Sequence, residues 1–556
     1  MSLSTQFLSS ILSFIKKQDG ASLRAWLRVE PDAPSQYFEL GKELRTQFRN
    51  DAGIHNLVEK CLPIRNDDGD NGGGAVWLSF ILFMKDYMLY WRDVNFDDLP
   101  AVYSQLSGLL TSCTTAFTHP SGPVMLETSV AICEAIAKLA MVMHHRPELK
   151  HGIQTSAAGG GAAAAAGGDE ERKSLVESTA DAIQKVCTAC VTDRSSARFA
   201  RPEGRRVAVY RLANLVLKLL FAGDKARWAA QMFTNITNTG PPLAFYPAAQ
   251  RVTYLYYLGR FHLENNHFHS AAQCLEAAYR QTPPACRRHR RLILTYLIPA
   301  NLLIGVFPSP ALLLRPEAAE ELRPAFLPIC MAVKMGNFAA FQASLHENET
   351  WLVKHRLLLT LSYRLRPLLW RSLTRRVFML TYVPPPNSDA IISSAATAAR
   401  GRAAPTLDLS DLLAAATLAQ HQIEGYTPAA RWPRPRAEHT NTLFMRATAT
   451  ANHRDAQSST VVAPVEGVRK LRPSEGMVWG NLPVTMADIE SVVSSLAAQG
   501  LMHGFVAHAA HKFAVVGAKA KGAVLAGFPS VAEVMREQLK SSDVDINSVP
   551  AWVKAP

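Results

Sequence analysis

Residues 254–307 read YLYYLGRFHLENNHFHSAAQCLEAAYRQTPPACRRHRRLILTYLIPANLLIGVF. Leu255, Leu258, Gly259 and His262, followed by Ala271, Leu275, Ala278 and a closing Pro283, fit a helix–turn–helix repeat pattern. A single unit of this kind cannot bury its apolar face. It predicts stacked neighbours, hence an α-solenoid that works by presenting a surface rather than by chemistry in a pocket.

Working outward, helical periodicity runs through the first 150 residues. Leu8, Ile11, Leu12 and Ile15 fall on one face, as do Trp77, Phe80, Ile81, Met84, Met88 and Leu89. The opening MSLSTQFLSSILSFIKKQ lacks a secretory pattern; its Ser-rich, acid-poor start also suits a mitochondrial presequence, while its apolar spacing suits an ordinary helix. SAAGGGAAAAAGG at 156–168 offers nothing to pack and reads as a flexible loop, set here at 151–170. Helices resume and recur around turns at Gly223-Asp224, Asn265-Asn266, Gly305 and Gly336-Asn337, which assigns 171–383 to the helical repeats. The longest apolar run, Leu292 to Phe307, is shorter than the roughly 20 residues a bilayer requires and contains Pro299, so it predicts a buried helix.

RLRPLLWRSLTRRVFMLTY at 364–382 predicts a long helix with Pro367 in its first turn. Beyond Pro384 the texture changes. Residues 386–404 and 428–475 read as insertions, and between and after them lie a short strand leading into a helix at 407–413, a helix capped by Thr485, and two strands, 504–507 and 512–516. Helix, helix, hairpin is the order of a winged helix, here bounded at 384–530 with a tail at 531–556. The fold expected is mainly α: a right-handed, tetratricopeptide-like solenoid ending in a winged helix.

At 556 residues the chain exceeds one core, and with 48% hydrophobic and 19% charged residues it is globular. A formal charge of +13 and a pI near 9.4 favour an acidic partner. Eight irregularly spaced cysteines do not form a secreted disulfide framework, and Cys187 and Cys190 read as a buried pair because no second pair completes a zinc site. His503, His508 and His511 lack accompanying cysteines and read as surface or core histidines. No phosphate-binding loop, nucleophile elbow, H-E-x-x-H or paired-carboxylate arrangement occurs, so neither catalytic, cofactor nor metal residues are assigned.

Two sets of basic residues are the binding candidates. Arg287, Arg288, Arg290 and Arg291, expected in a loop before the Leu292 helix, together with Arg371, Arg375 and Arg376, suit a partner's carboxylates. The presumed recognition helix is poor in cations, since 473–511 contains neither Arg nor Lys. Base reading by that helix is therefore not expected. Nucleic-acid contact falls instead to Arg469, Lys470 and Arg472 ahead of it and to Lys512, Lys519 and Lys521 on the wing, as salt-dependent backbone contacts.

Arg290–Pro299 with Leu302–Gly305, Gly336–Phe338, Trp370–Phe378, Asp488–Glu490 and Gly500–Lys512 resemble a branch of the PCI-domain family over roughly Val207 to Pro529. That branch contains the PCI subunit of the pore-associated transcription-and-export complex and the sister, signalosome-associated subunit twelve. The resemblance implies a non-enzymatic scaffold in the nucleus, at the nuclear pore, bound to a larger PCI-like protein, to a small acidic disordered protein shared with the proteasome lid, and to RNA or DNA. It leaves open the sister's signalosome- or splicing-linked role, beside which stands a free-standing nucleic-acid-binding module. The long insertion before the winged helix's second helix and GAKAKGAV at 517–524 depart from the branch pattern.

Overall fold

The computed structural model describes residues 2–63, 77–146, 174–382, 404–428, 461–462, 464 and 467–541. It is mainly helical and divides into two compact units. One runs from Met1 to Asn265; the other takes Asn266–Tyr279 and continues from Pro283. The loop expected at 151–170 lies outside the described residues, as do the insertion at 386–404 except its last residue and most of 428–475. Among the described residues, no helix is long and apolar enough to cross a membrane.

The first unit is built of helices whose apolar stripes face inward. Leu3–Lys16 buries Phe7, Leu8, Ile11 and Ile15, and Leu78–Asp93 buries Phe80, Ile81, Met84 and Met88 behind the N-cap Trp77. Three aromatic polar atoms in this core bond to backbone, as buried groups usually do. The Tyr87 hydroxyl and Trp91 Nε1 both donate to the Arg28 carbonyl, at 2.7 and 3.0 Å, and Tyr90 donates to that of Val29 at 2.7 Å. Leu175–Val191 starts at a capping box of Ser174 and Glu177, and packs Cys187 and Cys190 into the core. Burial pushes the Cys187 thiol up to about 12, so this pair is inert packing, as the sequence suggests.

The expected turns recur in both units, each with a residue in the left-handed region: Asp224, Asn266, Gly305 and Gly336 have φ of 63°, 62°, 80° and 65°. In the opening stretch, Ala248–Glu264 and Phe268–Gln281 are both helices, as predicted, and Leu255, Leu258, Gly259, Ala271, Leu275 and Ala278 are all buried. Gly336 illustrates why glycine is required at one such corner. A Cβ there would lie 2.3 Å from the backbone nitrogen of Leu373, so the helices Leu322–Met335 and Arg366–Thr381 could not approach as they do.

The second unit continues with Arg287–Leu303, Leu322–Met335, Phe338–Glu347, Leu358–Arg364 and Arg366–Thr381, joined by shorter helical turns. Pro367 occupies the first turn of the last of these, as predicted. The winged helix follows. Strand β1 (Thr406–Asp408) leads into helix Leu409–Glu424; β2 (Thr427–Pro428) pairs with β3 (Val461–Val462); helix Met486–Ala498 precedes the hairpin of β4 (Gly504–Ala507) and β5 (Lys512–Val515). The three-stranded sheet has the order β1-β5-β4, antiparallel throughout, with Leu407 opposite Phe513. Both are fully buried, as are Leu409, Leu412, Ile489 and Val493, so the sheet's inner face and the two helices share one core. The tail expected from 531 begins with a helix, Val531–Ser541, whose Val534 is buried and whose Gln538 donates to the Gln499 carbonyl at 2.8 Å.

Candidate functional site

The last repeat helix, Arg366–Thr381, carries two guanidinium groups that clasp the winged helix. Arg371 Nε donates to the Leu501 carbonyl at 3.1 Å and Nη2 to that of Phe528 at 3.2 Å and to Pro529. One turn earlier, Arg366 donates to Ser474 at 2.8 Å, to Gly476 at 2.7 Å and to Met477, while Gln342 reaches the same Ser474 carbonyl at 3.1 Å. Burial and the neighbouring Arg375 pull the Arg371 guanidinium down to about 10, which leaves it charged at neutral pH. A planar fork of donors suits several converging carbonyls, whereas a lysine would satisfy fewer. The expectation that Arg371 meets a partner is thereby corrected: it faces inward. Arg375 and Arg376, four and five positions on, are exposed.

The arginine cluster that opens the preceding repeat is divided in the same way. Arg287–Arg291 is not a loop but the first turn of helix Arg287–Leu303. Arg290 is buried, 3.2 Å from Glu317 and stacked over the Tyr279 ring at 4.3 Å, and Arg291 pairs with Glu320 at 3.2 Å and with Glu321. These two hold the fold together. Arg287 and Arg288 remain exposed.

The helix in the recognition position is short of cations. Thr485 and Asp488 form a capping box, and the outward positions Ala487, Ser491 and Ser495 are small. Glu490 is turned toward the hairpin, where its two oxygens bond His508 Nδ1 at 2.8 Å and His511 Nδ1 at 2.7 Å. Those bonds, His508 first, hold the Glu490 carboxyl below its ordinary range. Two of the three histidines therefore lock the tip of the hairpin onto the helix. Lys512 and Lys521 are exposed, with Lys519 in the same helical turn, Ala518–Lys521, as Lys521.

Of the cations ahead of the helix, Arg472 bonds Glu349 at 2.6 Å and Arg469 lies 3.8 Å from Glu475, while Lys470 is exposed. These residues belong to an ordered loop rather than to a disordered insertion. Gln420 accepts from the Met477 N–H at 2.7 Å and donates to the Gly480 carbonyl at 2.9 Å, and Met477 is buried beneath. The sequence names this loop's Arg469, Lys470 and Arg472 as contacts, but neither Arg366 nor the order of the loop is evident from it. The only sign of the first was an arginine beside Pro367, and of the second the two glycines four positions apart in GMVWG.

No family model matches the chain. A PCI domain-containing protein of Schizosaccharomyces pombe is 24% identical over 378 residues, which cover 68% of this chain and 78% of that protein. A protein named CSN12 homolog from Neurospora crassa is 32% identical over 209 residues, 37% of this chain and 44% of the relative. A PCI domain-containing protein 2 homolog from Drosophila melanogaster is 28% identical over 206 residues, 37% of this chain and 50% of the relative. The last two are thus matched over about half of their length. Helical repeats clasped to a winged helix, together with these relatives, make the chain similar to proteins of the PCI-domain family.

Proposed function

We propose that this chain is a non-catalytic scaffold subunit of a nuclear complex that couples transcription to messenger-RNA export at the nuclear pore. In this reading its winged helix lies beside that of a larger PCI-like partner and receives a small acidic disordered protein shared with the proteasome lid. The exposed cations contact RNA or DNA backbone with little sequence selectivity.

The observation that carries the scaffold reading is the double clasp of Arg366 and Arg371. It fixes the winged helix against the last repeat helix, so that the two are offered to a partner as one preorganised surface. The small, uncharged outward face of Met486–Ala498 supports protein docking over base reading, because a groove-reading helix needs donors for base edges. Relatives named CSN12 homolog favour a second reading, the sister subunit of a signalosome-associated or splicing-linked complex.

Affinity purification of the tagged chain from its own cells at moderate salt, followed by mass spectrometry, tests the choice. Co-purification of a large PCI-like scaffold with nuclear-pore proteins is the expected result. Signalosome or splicing components in their place would establish the sister role, and recovery of the chain alone would refute both.

A further inference from the structure

The loop Arg469–Leu482 is held more tightly than its composition suggests. Leu471 N donates to Asn481 Oδ1 at 2.8 Å, Asn481 Nδ2 donates to the Arg469 carbonyl at 3.0 Å, and Gly480 N reaches Pro473 at 3.3 Å. These bonds lay the basic segment 469–473 alongside 480–481. Gly476 and Gly480 are in van der Waals contact; a Cβ on Gly476 would come within 1.8 Å of the Gly480 carbonyl. With Arg366, Gln342 and Gln420 also bonded to it, the loop has little freedom. Yet between these glycines it holds Trp479 with 58% of its surface exposed. A tryptophan fixed in water on a braced turn forgoes the burial that normally fixes its place.

The charges around it are arranged in layers. Arg472 and Arg469 are 58% and 48% exposed, and Lys470 joins no ion pair with another described residue. Their carboxylate neighbours lie deeper, Glu475 at 13% and Glu349 at 27% exposure. The loop that carries the exposed Trp479 therefore also carries an exposed Lys470 and two partly exposed, carboxylate-paired arginines, in a chain of net charge +13.

We propose that Arg469–Leu482 is a site for single-stranded nucleic acid, with Trp479 as the platform on which a base stacks and Lys470, Arg469 and Arg472 as contacts to the flanking phosphates. The proposal rests on the nucleic-acid part of the functional reading, in which the loop's three cations already figure beside the wing, and adds Trp479 as the stacking platform. Stacking on an exposed aromatic ring accepts any base, and the lysine and arginine heads supply a salt-dependent backbone term.

The test is fluorescence anisotropy of the full-length chain with 5′-fluorescein-labelled oligouridylate and oligodeoxythymidylate of about twelve nucleotides. The two probes separate RNA from DNA. Trp479→Ala is expected to weaken binding roughly five- to hundredfold, and Trp479→Phe to keep most of it. Lys470→Glu is expected to lower the salt slope by about one. Circular dichroism checks that each variant folds. If Trp479→Ala binds within twofold of the unaltered chain while Lys512→Glu with Lys521→Glu abolishes binding, the loop site is wrong and the wing reading stands. If the unaltered chain binds neither probe at low salt, both fail. If Trp479→Ala leaves both oligonucleotides bound but releases a protein from the purified assembly, the surface belongs to a polypeptide and the proposal is overturned.

Discussion

Replacing Arg371 with alanine should loosen the winged helix without unfolding the repeats. The guanidinium donates to the carbonyls of Leu501, Phe528 and Pro529. At roughly 1.5–3 kcal/mol for each bond from a charged donor, the three bonds amount to about 4–9 kcal/mol. Holding the charge in that site works against this. The depression of its pKa to about 10 corresponds to a cost on the order of 3 kcal/mol. The difference centres near 3 kcal/mol, and alanine also leaves three carbonyls short of a donor. Hydrogen exchange read by mass spectrometry is the suitable assay, since a two-unit chain is not expected to melt in one step. Peptides covering 486–515 should exchange about a hundredfold faster in Arg371→Ala, while those of the first unit should be unchanged. An acceleration below about threefold would refute the clasp, as would equal acceleration throughout both units.

Four further outcomes are expected. Charge reversal at Arg375 and Arg376 together, leaving Arg371 in place, should weaken partner assembly with helical content intact; undiminished co-purification would remove these residues from the interface. Gly336→Ala places a methyl group against the Leu373 backbone at a φ of 65° and should cost at least about 2 kcal/mol, read as a lowered Tm of the second unit; an unchanged Tm would mean that the two helices separate freely. Because the Glu490 pKa is lowered, its tether to His508 and His511 is fully present above the ordinary carboxylate range and is lost as pH falls through and below it. Imidazole NMR signals should report that transition, and Glu490→Gln should abolish it; persistence in the variant would assign the transition to another group. Charge reversal at Lys512 and Lys521 should reduce the salt slope of nucleic-acid binding by the assembled complex, and an identical slope would exclude the wing.

The sequence determined the periodic parts of this protein. Leu255, Leu258, Ala271 and Leu275 repeat at helical spacing, the corners at Asp224, Asn266, Gly305 and Gly336 use residues that tolerate positive φ, and Thr485 with Asp488 marks the start of a helix. These are local rules, expressed within one or two turns of chain, so they can be read without the fold. The destination of each arginine is not local. Arg371 and Arg375 lie one turn apart on one helix, yet the first ends on carbonyls 130 to 158 residues away and the second in solvent. Likewise Arg290 turns inward to Glu317 while Arg288 stays exposed, and the loop around Trp479 is held by Arg366, Gln342 and Gln420 from other helices as well as by its own bonds. Whether a cation is a clasp or a contact depends on which acceptors the chain brings within about 3 Å, and only tertiary packing decides that.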